Sequence, residues 1–485
     1  MIPTTHCPTG RSGLAVGAQR CFQRLRNASL PELERALDAR LPKELLSSTD
    51  EGLNSRQRIY TLRLTFQCFV WQMLKPKTSL REVVRHVQAL FASQGGRKVK
   101  GGTSAYSEAR SRLPRRRLEK AALHLAKGAD AKAGPSPFLQ GRPIIAVDST
   151  GLQLSDTPKN QKKYPQPSHQ RPGCGFPAVK LLACFSVRSG AITQVVMSPR
   201  QPHELRLFRQ LWSRLIRGTI LLGDRIFSDF ATLADYTRFG LDGLARLNSN
   251  RRVDFRRGER LGPNDAIFTW QKPDSRPPYL TLRQWAKVPD EIRVRILRFQ
   301  VAKKGYRTTS ITLVTTLLDS KDYPFQELVD VYARRWRLEL CFLDLKTKMG
   351  MEQIRGRTPR MVQKEVGAYL VAHNLIRCLM AEASARYEVD LERLSFKGSI
   401  DSLRQFSKVM AQASGRRRQD QLWNDLLETI ASDLVRLRPG RREPRAIKRR
   451  PKPFPRLIVA RDQFKDPIRY HRWLKQQQNN KKSKN

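Results

Sequence analysis

Between Val331 and Lys346 the chain runs without Pro or Gly, and its apolar and polar positions recur at helical spacing. At about 100° per residue, Tyr332, Arg335, Glu339 and Lys346 fall within an arc of roughly 60°, stacked along about 20 Å of helix. Trp336, Leu340 and Leu343 flank this polar row on one side, and Leu338, Phe342, Leu345 and Met349 on the other. Arg334, Arg337, Asp344 and Lys348 take the opposite face, the one expected to meet water. A carboxylate between apolar walls is costly unless it is paired or holds a metal. Glu339 is therefore a candidate functional residue from the pattern alone.

The same reading divides the rest of the chain. Residues 1–140 form an N-terminal helical domain, with amphipathic helices over 30–45 and 55–74. Ser79 and Glu82 are spaced as a capping box that opens a helix to about Ser93. A basic Gly-rich loop over 95–102 then leads to a helix carrying Tyr106, Arg110 and Arg112. This is either a DNA-reading helix–turn–helix, with Arg110 as a contact, or a helical bundle with a basic exterior. From Arg142 the period changes. Ile144–Val147 is a short buried strand ending at Asp148. Residues 179–187 and 191–197 pair as a hairpin through Arg188-Ser189-Gly190. A helix over 202–217 precedes a strand, 219–223, that delivers Asp224. A helix over 229–237 and a strand over 243–247 follow. The order β-β-β-α-β-α-β resembles the ribonuclease H-like fold: an α/β mixed-sheet core, residues 141–248 and 316–400. A β-rich insertion, 249–315, interrupts it. Residues 401–485 are a C-terminal helical region and basic tail, with the helices of 387–437 expected at the periphery.

Charge narrows the partner. The 92 Lys and Arg against 43 Asp and Glu leave +49. Such an excess repels itself unless a polyanion supplies counter-charge, and nucleic acid is the obvious one. No apolar run approaches the ~20 residues that span a bilayer. The first 20 residues lack a signal-peptide pattern, so a cytoplasmic, nucleoid-associated protein is expected. Seven scattered Cys and seven scattered His argue for reduced thiols and against a Cys/His metal site.

Phosphodiester cleavage needs an activated water or hydroxyl and charge stabilisation at the leaving oxygen, which two divalent ions held by carboxylates supply. Asp148 and Asp224 end strands that are neighbours in the proposed topology, and the helix of Glu339 packs beside them. The plain alternatives are strand-end turn formers for the aspartates and an i−4 ion pair with Arg335 for Glu339.

The spacing Tyr332-x2-Arg335-x3-Glu339-x6-Lys346 resembles the Y-R-E-K signature of bacterial insertion-sequence transposases of the IS-four type, a branch of the DDE transposases. Asp148-Ser149-Thr150 resembles their first-Asp motif. Asp224-Arg225-Ile226-Phe227 resembles the second, with Ile226 where a Gly is usual. Asp156–Asn160, Gly173–Pro177 and Val288–Ile292 also look familial, and the likeness covers about residues 79–456. It implies cut-and-paste transposition. Water nicks an element end, and the freed 3′-hydroxyl attacks the opposite strand and then target DNA. Asp148, Asp224 and Glu339 would hold two Mg2+ ions, with Mn2+ as a substitute. Tyr332, Arg335 and Lys346 would contact phosphates. Trp270 and Trp285 are candidates for stacking on a flipped base, or are simply core. The partners implied are double-stranded terminal inverted repeats, target DNA and a second copy in a homodimeric synaptic complex, without a membrane. The competing reading is a non-catalytic DNA-binding derivative of a transposase.

Overall fold

The computed structural model describes residues 30–47, 58–93, 98–200, 203–301 and 309–436. The basic tail and parts of the Gly-rich loop lie outside these residues. Helices α1 (Pro31–Asp38), α2 (Leu62–Leu74), α3 (Leu80–Ser93), α4 (Ser104–Arg112) and α5 (Arg115–Ala133) form the N-terminal unit. Ser79 caps α3 as its spacing predicts, its Oγ accepting from Glu82 N at 3.1 Å. The Glu82 side chain turns to Lys75.

Strands β1 (Ile144–Leu154), β2 (Ala178–Ser186), β3 (Ile192–Pro199), β4 (Ile220–Gly223) and β5 (Asp242–Arg246) follow, with α6 (Phe230–Arg238) between the last two. β2 and β3 form the predicted antiparallel hairpin. β4 is buried along its whole length, as befits a strand covered on both faces. It runs parallel to β1 and to β5. The order β3-β2-β1-β4-β5 is that of the ribonuclease H-like core.

The insertion supplies β6 (Glu259–Gly262), β7 (Asp265–Gln271), β8 (Glu291–Val301) and β9 (Thr309–Thr315). These strands extend the core sheet, because β9 pairs with β5 as well as β8. The expected helix over 202–217 is shorter than its pattern suggests: a helix at Glu204–Phe208 and a separate turn at Trp212–Arg214.

The chain returns through α7 (Phe325–Ala333) and α8 (Arg337–Leu343). β10 (Gln353–Ile354) pairs with the end of β1. Then come α9 (Pro359–Tyr387), α10 (Phe396–Gln412) and α11 (Arg416–Ser432). One face of the sheet, carrying Ile144, Ala146 and Leu222, packs under α5, α7, α8 and α9. The other, with Ile145, Val147 and Leu221, packs on Phe208, Trp212 and α6. Leu403, Trp423 and Leu426 belong to the first of these cores, so α10 and α11 are integral rather than peripheral. Their apolar faces meet α9, which is buried along most of its length.

Candidate active site

β1 and β4 bring the first two acidic residues together. Their register pairs Ala146 with Leu222. Two residues further on come Asp148, still within β1, and Asp224, the first residue after β4, close enough for the charge of one to act on the other. Alternation along β1 puts Asp148 on the face of Ala146, under α7 and α8. Asp148 accepts a hydrogen bond from Ser149 N at 2.7 Å. Burial pushes its carboxyl up to about 6; the Ser149 bond and nearby Arg335 oppose this, and the charges of Asp224 and Glu204 add to it.

Asp224 caps a tight turn, Arg225–Ser228, by accepting from Ile226 N at 3.0 Å. Ile226, at the position where Gly is usual, leaves this turn intact. The close approach is made one residue earlier than Asp224: a Cβ on Gly223 would lie 2.5 Å from Phe227 Cβ.

The polar row lies over this strand end, but not as one regular helix. A 3-10 turn at Arg334–Trp336 joins α7 to α8, and a π turn at Asp344–Lys348 follows. Three residues at 3.0 per turn carry everything beyond them about 60° further round than a regular helix would. The expected burial changes accordingly. Trp336, Leu340 and Leu343 are 66%, 57% and 44% exposed, not a buried wall. Asp344, expected in water, is buried between Arg377 and Lys348, each at 2.6 Å.

Tyr332 is buried and hydrogen-bonded to Arg335, and burial raises its hydroxyl pKa. Asp224 and Arg246 lie near that hydroxyl. Lys346 Nζ donates to Thr150 Oγ1 at 3.3 Å, two residues beyond Asp148 on the same face of β1. Glu339 departs from expectation. It is half exposed and stands 4.0 Å from Arg335. Among the described residues no three His, Cys, Asp or Glu side chains stand close enough to hold a metal ion. The aspartates meet; Glu339 stands apart.

Two neighbouring carboxylates, one of them desolvated, are hard oxygen donors of the kind a divalent cation takes. A cation between them would relieve the repulsion that helps lift Asp148.

The other candidates are dispersed. Arg110, expected on an exposed basic helix, is 9% exposed, bound to Gln72 at 3.1 Å and stacked over Phe69. Its helix turns that face onto α2. Trp270 is buried, with Arg251 at 3.8 Å over its ring. Trp285 is half-buried beside Lys272 and lines a cavity of about 310 Å3 with Asn248, Asn250 and Arg251. Glu204 is a further neighbour of the first aspartate that the sequence pattern did not single out. It accepts from Ser149 Oγ, pairs with Lys180 at 3.6 Å and enters the field at Asp148. Its distance along the chain from Asp148 left no signal.

Residues 139–375 match the family described as Transposase DDE domain. The chain is 25% identical over 454 residues to "Transposase InsG for insertion sequence element IS4" of Escherichia coli (strain K12), covering 91% of this chain and 97% of that protein. A cryo-EM structure of the piggyBac transposase synaptic complex with hairpin DNA aligns over 85% of each chain, at 11% identity and a TM-score of 0.39.

Proposed function

The chain belongs to the DDE transposases of the IS4 type, and from that premise we propose which residues perform its cleavage and joining of DNA. It is an insertion-sequence transposase; the proposal concerns its site, metals and partners. Asp148 and Asp224 hold divalent cations, with Glu339 as the third ligand. Mg2+ is the expected ion and Mn2+ a working substitute. Bound there, the ions supply an activated water or hydroxyl and neutralise charge at the leaving oxygen.

The chain's own groups do the rest. Arg335 offers a planar fork and Lys346 a point charge to the phosphates on either side of the cleaved bond. Tyr332 orients the Arg335 guanidinium. Asp148, titrating at about 6, is ionised at neutral pH and protonated in mild acid. Trp285, with Asn248 and Asn250 beside it, is the better of the two tryptophans for receiving an unstacked base, since Trp270 is already covered by Arg251. Joining two element ends requires two copies, so the working form is a homodimer on double-stranded terminal repeats and target DNA.

The observation that carries this reading is the electrostatic closeness of Asp148 and Asp224 at the ends of paired parallel strands, with Lys346 bonded to Thr150 two residues beyond Asp148. The test uses duplexes made from the DNA flanking this reading frame, with and without Mg2+. Asp148→Ala, Asp224→Ala and Glu339→Ala should each abolish nicking while binding persists. Cleavage retained in any of them would refute the assignment of that residue. One observation favours a second reading, binding without chemistry: Glu339 sits against Arg335 rather than with the aspartates. Wild-type protein that binds ends but never nicks them in Mg2+ or Mn2+ would establish it.

A further inference from the structure

A cavity of about 390 Å3 lies between α2, α4 and the start of α9. Four cationic side chains line it: Lys77 and Arg110 from the N-terminal unit, Arg355 and Arg357 from the core. The one carboxylate in its wall, Glu365, is committed, accepting from Arg355 N at 3.0 Å. Arg110 is buried, and its Nε has no hydrogen-bond partner among the described residues. A buried guanidinium N–H left unpaired is costly. The wall also includes Thr358, the N-cap of the 29-residue helix α9. A helix start presents free N–H groups and the positive end of the macrodipole. The cavity therefore combines a net positive field, four cations against one carboxylate, with an unpaired buried donor.

We infer that this cavity seats a backbone phosphate of duplex DNA, roughly six base pairs from the bond being cut. The position follows from β10, which pairs with Gln153 and Leu154 at the end of β1. Leu154 lies six residues beyond Asp148, about 20 Å at a strand's rise, and Arg355 follows β10 directly. At ~3.4 Å per base pair, that span is about half a turn of duplex. Lys346, at Thr150, lies between the two points, so one duplex meets cations at both ends of this path and in its middle. Because each structural unit supplies two of the four cations, the phosphate also ties the N-terminal helices to the core. The choice of DNA as ligand rests on the transposase reading.

The test reads binding alone, in EDTA, so that it stands apart from catalysis. Element-end duplexes carry a single neutral methylphosphonate stepped through the first ten positions from the cleaved bond. The variant is Lys77→Gln/Arg357→Gln, two exposed side chains whose loss leaves Arg110 packed on Phe69. Wild-type protein should lose about tenfold in affinity, one charged contact, for a methylphosphonate roughly six pairs in. The variant should bind unmodified duplex as weakly, with a salt slope shallower by about 0.9 per lost contact, and be indifferent to that methylphosphonate. A variant still sensitive to it, or with unchanged affinity and salt slope, overturns the inference. So does a cavity that takes only free anion: millimolar inorganic phosphate raising the wild-type melting temperature but not the variant's, with equal duplex affinity. Protein that passes these binding tests yet never nicks DNA would leave the seat standing and remove the catalytic assignment.

Discussion

The Asp344→Ala substitution tests whether a buried ion triad holds the helix of Glu339 in register. Asp344 opens the π turn, with its side chain 3% exposed. It lies 2.6 Å from Arg377 on α9, itself 8% exposed, and 2.6 Å from Lys348. Arg377 is wedged in turn against the β2–β3 hairpin. A Cβ at Gly190, whose φ of +71° already favours glycine, would fall 3.0 Å from its Cζ. The other side of Arg377 faces the Phe396 ring at 4.9 Å. Removing Asp344 leaves this guanidinium buried without its counter-charge, at a cost of ~3–5 kcal/mol. At ~2–4 °C per kcal/mol for a domain of this kind, the melting temperature should fall by on the order of 10 °C. Removing both charges, as in Asp344→Leu/Arg377→Leu, should recover much of the loss, because no orphan charge remains. Thermal and urea melts followed by circular dichroism measure both. A drop of only a degree or two for Asp344→Ala, or a double variant as unstable as the sum of its parts, would refute the triad as the anchor.

The Asp148→Asn variant should be more stable than the wild type at neutral pH in EDTA. The folded carboxyl titrates at about 6, above the ~3.9 of an unfolded aspartate. The native state therefore holds the extra proton between those values, and stability falls as pH rises through that window. Two units at ~1.36 kcal/mol each, discounted for partial exposure, give a gain of ~2 kcal/mol at pH 7.5 that fades by pH 4. Melts at both pH values check it, and a gain independent of pH would contradict the cause. Gly223→Ala should cost ~1–3 kcal/mol through overpacking, because its Cβ would collide with Phe227; an unchanged urea midpoint would count against it. Without DNA, Glu339→Ala should keep the stabilisation by Mg2+ or Mn2+, because Glu339 stands off from the aspartates. Asp148→Ala should abolish that stabilisation. Equal loss in both variants would mean that all three acids already converge in solution.

What the sequence disclosed and what it hid follow from how far each determinant lies along the chain. The strand ends that carry the aspartates were legible because buried strands announce themselves locally: Ile220–Gly223 is an apolar run followed directly by Asp224. The Ser79 cap and the Arg188-Ser189-Gly190 turn were legible for the same reason. The helix of Glu339 was legible as a helix but not in its phase. Neither of its irregular turns contains Gly or Pro, and regular periodicity assumes 100° at every step. What fixes the turns is tertiary. Arg377, 33 residues downstream, pulls Asp344 inward, and Thr150, 196 residues upstream, receives Lys346. The same helix must therefore turn one polar residue into the core at Asp344 and another onto β1 at Lys346. A π turn over Asp344–Lys348 lies where those two demands meet. The apolar wall predicted beside Glu339 is the corresponding loss: Trp336, Leu340 and Leu343 emerge beside a carboxylate that is itself half exposed. A half-exposed carboxylate flanked by uncovered apolar side chains leaves both chemistries open to solvent, and the proposed DNA end, with its stacked bases above charged phosphates, would meet both on that face at once.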